Sequence, residues 1–208
     1  MGKTKIKICG LRTLDNIRAV NEAEPDYVGF VFAESRRKIS DITAGDLRRE
    51  LAPGIIPVGV FVNEDIERIA GLCRNRIIDM IQLHGDEDEN YISRLRRLVP
   101  NPVIRAVRVR STEEILQYEA MGSNYLLLDA YREKEYGGSG VRFDWSLIPG
   151  LKKPFFLAGG INAENAAEAV DRYHPYGIDV SSGVEIGGSI DPGKVRELVH
   201  IIRTIKTV

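Results

Sequence analysis

The stretch Tyr125–Asp129, with the sequence YLLLD, indicates the fold: it is an apolar run of strand length that ends in a carboxylate. Lys5–Gly10, with the sequence KIKICG, is similar and closes on a thiol and a glycine. Short apolar runs of this kind are typical of parallel strands covered on both faces. Because α/β barrels carry their catalytic groups at the carboxyl ends of such strands, Cys9 and Asp129 are candidate catalytic residues.

Similar runs recur along the whole chain, each followed by a helix-like segment. They begin near Lys5, Tyr27, Ile55, Met80, Val103, Tyr125, Phe155 and Gly177. Dividing 208 residues by eight gives 26 per unit, which leaves hardly any length for an inserted domain. We therefore predict one compact (βα)8 TIM barrel, an α/β fold that spans residues 1–208 as a single domain. The alternative is an open doubly wound sheet, but no Gly-x-Gly-x-x-Gly turn follows the first strand.

Helix-start residues support this count. Thr13, Ser111 and Asn162 each precede a segment of helical pattern, and Asp191 is followed by a proline that suits a first helical turn. Cys73 lies within a helical pattern, and we interpret it as a buried structural thiol.

Composition excludes several classes of function. Hydrophobic residues make up 43%, charged residues 28%, and the formal net charge is -1, so no basic excess is present to bind nucleic acid. No apolar run reaches the length of about 18 residues that a membrane span needs. The segment before Lys5 also lacks the apolar core of a signal peptide, and we expect a cytoplasmic protein without membrane or nucleic-acid partners.

Glycine-containing turns follow the last two predicted strands, at residues 157–162 and 179–185. Glycine allows close approach of the backbone to a ligand, and N–H groups from the two turns can converge on phosphate oxygens. Tight turns without a ligand are the alternative, but their pairing at strands seven and eight favours phosphate. The predicted phosphate-binding residues are Gly159, Gly160, Ser181, Ser182 and Gly183.

Other polar residues also follow predicted strands. Arg36 and Arg37 come after strand two, where a guanidinium can grip a carboxylate, although a solvated basic loop is equally compatible. His84 follows strand four and is predicted to line the site, with no neighbouring metal ligand. Gly138 belongs to the glycine-rich loop 136–140, which can act as a lid over substrate.

Cys9 and Asp129 also have structural interpretations, as a small buried hydrophobe and a helix cap. Their strand-end positions favour chemistry, because an unpaired buried carboxylate is costly. Strand alternation places Lys7 on the same face as Cys9, inside the barrel, where its charge needs a carboxylate such as Asp179.

Several motifs recur in one order along nearly the whole chain. They are KICG at 7–10, GFVF at 29–32, SRRKIS at 35–40, VGVFVN at 58–63, QLHG at 82–85, LLD at 127–129, YGGSG at 136–140, FDW at 143–145, AGG at 158–160 and DVSSGVE at 179–185. In this combination the chain resembles the phosphoribosylanthranilate isomerase family.

The resemblance implies a ribulose-phosphate-binding barrel that isomerises N-(5'-phosphoribosyl)anthranilate to 1-(2-carboxyphenylamino)-1-deoxyribulose 5-phosphate in tryptophan biosynthesis, without metal or organic cofactor. It implies that Asp129 donates a proton to the ring oxygen and that Cys9 removes the C2 proton. Arg37 aligns with the arginine that faces the anthranilate carboxylate, with Arg36 as the alternative. We expect a small phosphorylated substrate and a monomer or homodimer.

One position departs from the family pattern, since Ile190 stands where lysine is frequent before Asp191. Two rival functions also remain. A phosphosugar isomerase acting on a different aminoaldose would share the phosphate turns but is expected to carry aspartate at the first strand. A noncatalytic phosphate-ligand-binding barrel would need the glycine turns but not both Cys9 and Asp129.

Overall fold

Eight parallel strands close into a barrel in chain order, and β1 pairs with β8 to complete it. The structure is a computed structural model that describes residues 3–130 and 143–205. The strands are β1 Lys5–Cys9, β2 Tyr27–Val31, β3 Ile56–Phe61, β4 Met80–Leu83, β5 Val103–Val109, β6 Tyr125–Ala130, β7 Phe155–Leu157 and β8 Gly177–Val180. The predicted barrel is confirmed, and each strand begins within one residue of its expected position.

Seven α-helices surround the barrel in the part of the chain that is described. They are α1 Leu14–Ala23, α2 Asp41–Glu50, α3 Ile66–Arg74, α4 Glu89–Leu98, α5 Thr112–Glu119, α6 Ala166–Tyr173 and α7 Pro192–Thr204. The expected helix after β6 is absent from residues 143–154, where only a 3-10 turn forms at Trp145–Leu147. Pro149, Gly150 and Pro154 disfavour helix in this segment. No helix of the described ranges has the length and apolar character required to cross a bilayer.

Three of the predicted helix caps are confirmed. Thr13 forms a capping box with Asn16, while Ser111 and Asp191 accept backbone N–H groups in the first turns of α5 and α7. Asn162 instead caps a separate turn, because its side chain accepts the N–H groups of Glu164 and Asn165. Consequently α6 begins three residues later than Ala163, at Ala166.

Alternation along the strands divides the apolar residues into two layers. Outward residues such as Ile6, Val28 and Leu126 pack against the helices, and Cys73 joins this layer from α3 as predicted. Inward residues fill the lower barrel around Phe156. The carboxyl end of the barrel is here called the mouth. The buried interior residues there form a small cluster of Cys9, Val31 and Val60, above which an open cleft begins.

A short hairpin extends the loop after β8. The 3-10 turn Ser182–Val184 leads into β9, Glu185–Ile186, which pairs antiparallel with β10, Ser189–Ile190. The hairpin returns the chain to α7, since Asp191 donates its N–H to the Val184 carbonyl at 2.8 Å. This connection places residues of the β8 loop beside the mouth.

Candidate active site

The cleft in the mouth brings together most of the residues that were predicted from sequence. Its lining includes Cys9, Arg37, His84, Asp129, Gly159, Gly160, Ser181 and Ser182. Gly183 lines an adjoining cavity, and Gly138 lies outside the described residues.

Cys9 ends β1 and is 8% exposed. Its neighbour across the strand pair is Gly29 of β2. A Cβ atom built on Gly29 would lie 2.5 Å from Cys9 Sγ, so any larger residue would displace the thiol. Gly29 was not singled out as a site residue, because its contact with the thiol depends on the register between β1 and β2.

Lys7 lies inside the barrel on the same strand as Cys9, and its Nζ donates to Asp179 Oδ1 at 2.8 Å. The side chain of Lys7 is fully buried and that of Asp179 is 10% exposed, so the predicted pair is confirmed. Burial alone would lower the pKa of Lys7, but the charges of Asp179 and Cys9 outweigh it and raise that pKa. Lys7 therefore stays protonated at the floor of the cleft.

The same surroundings act on the Cys9 thiol. Burial is the largest influence and raises the pKa of Cys9, and the charge of Asp179 adds to the rise. Lys7 and Arg37 act in the opposite direction by favouring the thiolate. The net result is a thiol that ionises less readily than a free one, beside cations that stabilise it once it has ionised.

Asp129 lies at the end of β6 and is 6% exposed. Its Oδ1 accepts the N–H of Ala130 at 2.8 Å. Gly159 packs against this carboxylate with φ of 77°, and a Cβ atom on it would lie 3.1 Å from Asp129 Oδ1. Gly159, which was predicted to bind phosphate, thus also leaves room for the Asp129 carboxylate.

His84 lies beside Asp129 across the cleft floor. Its Nδ1 is 2.9 Å from Gln82 Nε2, and its Nε2 is 3.4 Å from Asp129 Oδ2. With the Gln82 amide donating to Nδ1, the proton of a neutral imidazole lies on Nε2 and faces Asp129. Nε2 is buried and makes no hydrogen bond to the residues that are described.

A buried ion pair outside the barrel wall holds the His84 loop, and sequence reasoning missed it. Arg105 donates to the carbonyls of Leu83 and Gly85 at 3.0 and 2.9 Å. Glu87 lies 3.5 Å from the Arg105 guanidinium and accepts the Gly85 N–H at 2.9 Å. Both side chains are 1% exposed. The available signal was the presence of two arginines, Arg105 and Arg108, in an otherwise apolar strand.

Arg37 and Arg36 differ in their relation to the cleft. Arg37 lines it, whereas Arg36 does not, and the Arg36 side chain is 57% exposed. Both guanidinium groups contact the carboxylate of Glu185. Local sequence pattern contains no signal for this partner, which lies 148 residues from Arg37.

The cavity predicted to take phosphate, here called the phosphate-type cavity, lies between the β7 and β8 loops. Gly183 packs closely against the other loop, since a Cβ atom on it would lie 2.0 Å from the Ile161 carbonyl oxygen. The cavity here is lined by Gly160, Ile161, Asn162, Ser182, Gly183 and Lys194. Lys194 was missed from the sequence, and it supplies a cation where Ile190 does not.

No group of three or more His, Cys, Asp or Glu side chains is arranged to hold a metal ion within residues 3–130 and 143–205. The buried polar groups of the cleft instead comprise one thiol, two carboxylates, an imidazole and cations. Such a set can donate and accept protons while it binds a negatively charged ligand.

Comparison of this sequence with known proteins identifies its family. A sequence model of the family described as "N-(5'phosphoribosyl)anthranilate (PRA) isomerase" matches residues 6–201. The chain is 48% identical over 201 residues to a protein of Endomicrobium trichonymphae named N-(5'-phosphoribosyl)anthranilate isomerase, and the match covers 97% of this chain and 99% of that protein.

Solved structures agree with the sequence match. A crystal structure of phosphoribosyl anthranilate isomerase from Thermus thermophilus superposes with a TM-score of 0.85 at 28% identity, covering 98% of this chain and 100% of that one. A phosphoribosyl anthranilate isomerase in complex with reduced 1-(o-carboxyphenylamino)-1-deoxyribulose 5-phosphate gives 0.81 at 31% identity, covering 97% and 100%.

Proposed function

The chain belongs to the N-(5'-phosphoribosyl)anthranilate isomerase family, and from that premise we propose that its cleft isomerises N-(5'-phosphoribosyl)anthranilate by general acid–base catalysis. Asp129 is the proposed acid and Cys9 the proposed base. The observation that carries this assignment is that both side chains, one from β1 and the other from β6, line the same cleft. The product is 1-(2-carboxyphenylamino)-1-deoxyribulose 5-phosphate, an intermediate of tryptophan biosynthesis.

The reaction opens with proton transfer from Asp129 to the ring oxygen of the ribose. The bond between C1 and that oxygen breaks, and the nitrogen lone pair forms a C1–N double bond. Cys9 then takes the C2 proton, and the C2–H electrons form a C1–C2 double bond while the nitrogen regains its lone pair. The resulting enolamine loses its C2 hydroxyl proton and gains a proton at C1, which gives the ketone.

All of these steps are proton transfers, so the substrate is neither oxidised nor reduced by another molecule. Lys7 supports them by placing a buried positive charge beneath Cys9 as the thiolate forms. The iminium formed in the first step also makes the C2 proton more acidic. A thiol whose pKa is raised by burial is a stronger base once it is ionised, which suits removal of a proton from carbon.

The substrate is proposed to bind in the cleft through its two anionic groups, the phosphate and the carboxylate. Gly160, Ser182, Gly183 and Lys194 surround the cavity that would take the phosphate. Arg37 lines the cleft and would face the anthranilate carboxylate. His84 lines the cleft beside Asp129 and would contact the substrate there. This orientation puts the ribose between Cys9 and Asp129.

Further properties follow from the proposed substrate. We infer a single-domain cytoplasmic enzyme, because one barrel carries the whole cleft and a phosphorylated biosynthetic intermediate is made and used inside the cell. Its partner is this small molecule rather than nucleic acid or membrane. Light scattering at several protein concentrations would distinguish a monomer from a homodimer.

The function is tested by steady-state turnover of freshly generated phosphoribosylanthranilate, followed as loss of anthranilate-type fluorescence, with a metal chelator present. Identification of the ketose product by mass spectrometry and NMR should accompany the assay. Turnover that survives the chelator supports the proposal. Tight binding of the substrate without turnover would favour a binding barrel, and turnover of a different aminoaldose alone would favour another isomerase.

A further inference from the structure

Glu185 lies at the start of β9, and its side chain is 5% exposed. Its Oε1 accepts Nε of Arg37 at 2.7 Å, and its Oε2 accepts Nη2 of Arg37 at 3.0 Å. These are two parallel bonds between a carboxylate and one edge of a guanidinium, a geometry that fixes the plane of the guanidinium.

The aliphatic part of Arg37 is confined as well. Gly10 has φ of 96°, and a Cβ atom built on it would lie 2.4 Å from Arg37 Cδ. The arginine therefore lies flat on the residue that follows Cys9. Its Nε and Nη2 edge is occupied by Glu185, whereas Nη1 makes no hydrogen bond to the described residues. One edge of the guanidinium thus remains for a ligand in the cleft.

Arg36 adds a second positive charge beside the Glu185 carboxylate. Its Nη2 donates to Glu185 Oε2 at 2.7 Å from outside the cleft. Two guanidinium groups share one carboxylate, so the three side chains keep a net charge of +1. The carboxylate can therefore hold Arg37 in place without cancelling its attraction for an anion.

Other contacts fasten the hairpin to the loop that carries Arg37. Arg12 donates to the carbonyl of Arg36 and to that of Gly188, both at 2.9 Å. Lys194 Nζ donates to the Glu185 carbonyl at 3.3 Å. The position of Glu185 relative to Arg37 is thus fixed from both sides, as recognition of a planar carboxylate requires.

We propose that Glu185 is a positioning residue that presents the Nη1 edge of Arg37 to the substrate carboxylate and so determines the preference for an ortho-carboxylated aryl amine. The proposal rests on the function given above, since it concerns one group of that substrate. Glu185 itself touches no reacting atom in this scheme. Its removal frees the guanidinium to rotate, which weakens binding of the carboxylate and leaves the remainder of the ligand unaffected.

The test compares two ligands that differ only in the carboxylate on the aryl ring. They are the reduced product, 1-(2-carboxyphenylamino)-1-deoxyribitol 5-phosphate, and its counterpart without the carboxylate, each titrated by calorimetry. Wild-type enzyme should bind the carboxylated ligand at least about tenfold more tightly, as expected for a charge-assisted contact. Glu185→Gln should reduce this preference to about threefold or less and leave the affinity for the other ligand within about twofold.

Steady-state kinetics give a second readout. Glu185→Gln should raise KM for phosphoribosylanthranilate by about tenfold with little change in kcat, because the lost contact holds the substrate and the transition state alike. Glu114→Gln is the matched control, since Glu114 also pairs through two oxygens with an arginine, Arg110, but does not line the cleft. The control should match the wild type in both experiments.

Three outcomes would overturn the assignment of Glu185. They are an unchanged preference in Glu185→Gln, an equal loss of affinity for both ligands, and tighter binding of the carboxylated ligand. The last would mean that Glu185 competes with substrate for Arg37. Failure of the function itself is distinguishable, because wild-type enzyme would then bind the reduced product without turning over phosphoribosylanthranilate.

Discussion

The two ends of the barrel bury polar groups in different ways. At the amino-terminal end, the hydroxyl groups of Tyr27 and Tyr176 lie 2.7 Å apart, and both rings pack edge-on against Phe156. At the mouth, Gln82 Oε1 and His84 Nε2 are buried without a hydrogen-bond partner among the residues described. The buried hydroxyl groups at the amino-terminal end are therefore hydrogen-bonded to each other, whereas two buried polar atoms at the mouth are not paired within the described residues.

From this difference we expect the amino-terminal end to contribute mainly to stability and the mouth to serve the proposed binding of ligand. A buried hydroxyl group left without a partner costs about 1–3 kcal/mol, and the contact between Tyr27 and Tyr176 avoids that cost. Substitutions at the mouth should therefore reduce activity, and those at the opposite end should reduce stability.

Asp129→Asn should have the largest effect on activity. The amide cannot protonate the ring oxygen, and loss of a general acid typically lowers the rate by about 10²–10⁴-fold. Thermal unfolding should change little, because the oxygen of the new side-chain amide can still accept the Ala130 N–H. A variant that keeps a near-wild-type kcat while it is folded would remove Asp129 from the mechanism.

Asp26→Asn should instead destabilise the amino-terminal end. Burial alone would raise the pKa of Asp26, but hydrogen bonds from Lys5, the Ile6 N–H and Arg203 lower it on balance. The stabilisation by Asp26 is therefore present above the unfolded pKa of about 4 and is lost as the pH falls through the lower folded pKa.

Urea unfolding at neutral pH should show a loss of about 1.5 kcal/mol in Asp26→Asn. The difference from the wild type should shrink as the pH is lowered below about 4, while the fold persists. The kcat of the variant at neutral pH should equal that of the wild type. A difference in stability that stays constant with pH would show that the charge of Asp26 is not responsible.

Lys194→Ala should weaken substrate binding at the mouth. The lysine lines the phosphate-type cavity, and loss of one charge-assisted contact should raise KM by about tenfold with kcat nearly unchanged. Inhibition by inorganic phosphate should weaken in parallel. Lys152→Ala, which removes an exposed lysine outside the cleft, serves as the control. Equal KM values in the two variants would exclude a role for Lys194 in phosphate binding.

Tyr176→Phe should have the smallest effect. It leaves the Tyr27 hydroxyl without its partner and should reduce the free energy of unfolding by about 1 kcal/mol. Because the site lies at the opposite end from the cleft, kcat and KM should not change. A loss of activity larger than the loss of stability explains would show that the two ends are coupled.

The sequence was sufficient to predict the strands, because eight buried parallel strands leave short apolar runs that local pattern reveals. Strand ends then predicted that Cys9 and Asp129 share one face, and alternation predicted the pair of Lys7 with Asp179. These inferences use only the periodicity and order of the strands.

Other features depend on contacts that sequence pattern does not contain. Glu185 meets Arg37 across 148 residues because two loops converge over the mouth. Gly29 matters because the register places it beside Cys9. The helix expected after β6 is not found in residues 143–154, where the prolines outweigh the expected βα repeat.

The most direct test of the account is the turnover of phosphoribosylanthranilate by Cys9→Ala measured beside Cys73→Ala. The two cysteines are both buried and free, but only Cys9 lines the cleft. We predict that Cys9→Ala loses at least about 10²-fold in kcat while Cys73→Ala, if folded, keeps the wild-type value. Wild-type turnover by folded Cys9→Ala would contradict the assignment of Cys9 as the base and with it the proposed chemistry of the mouth.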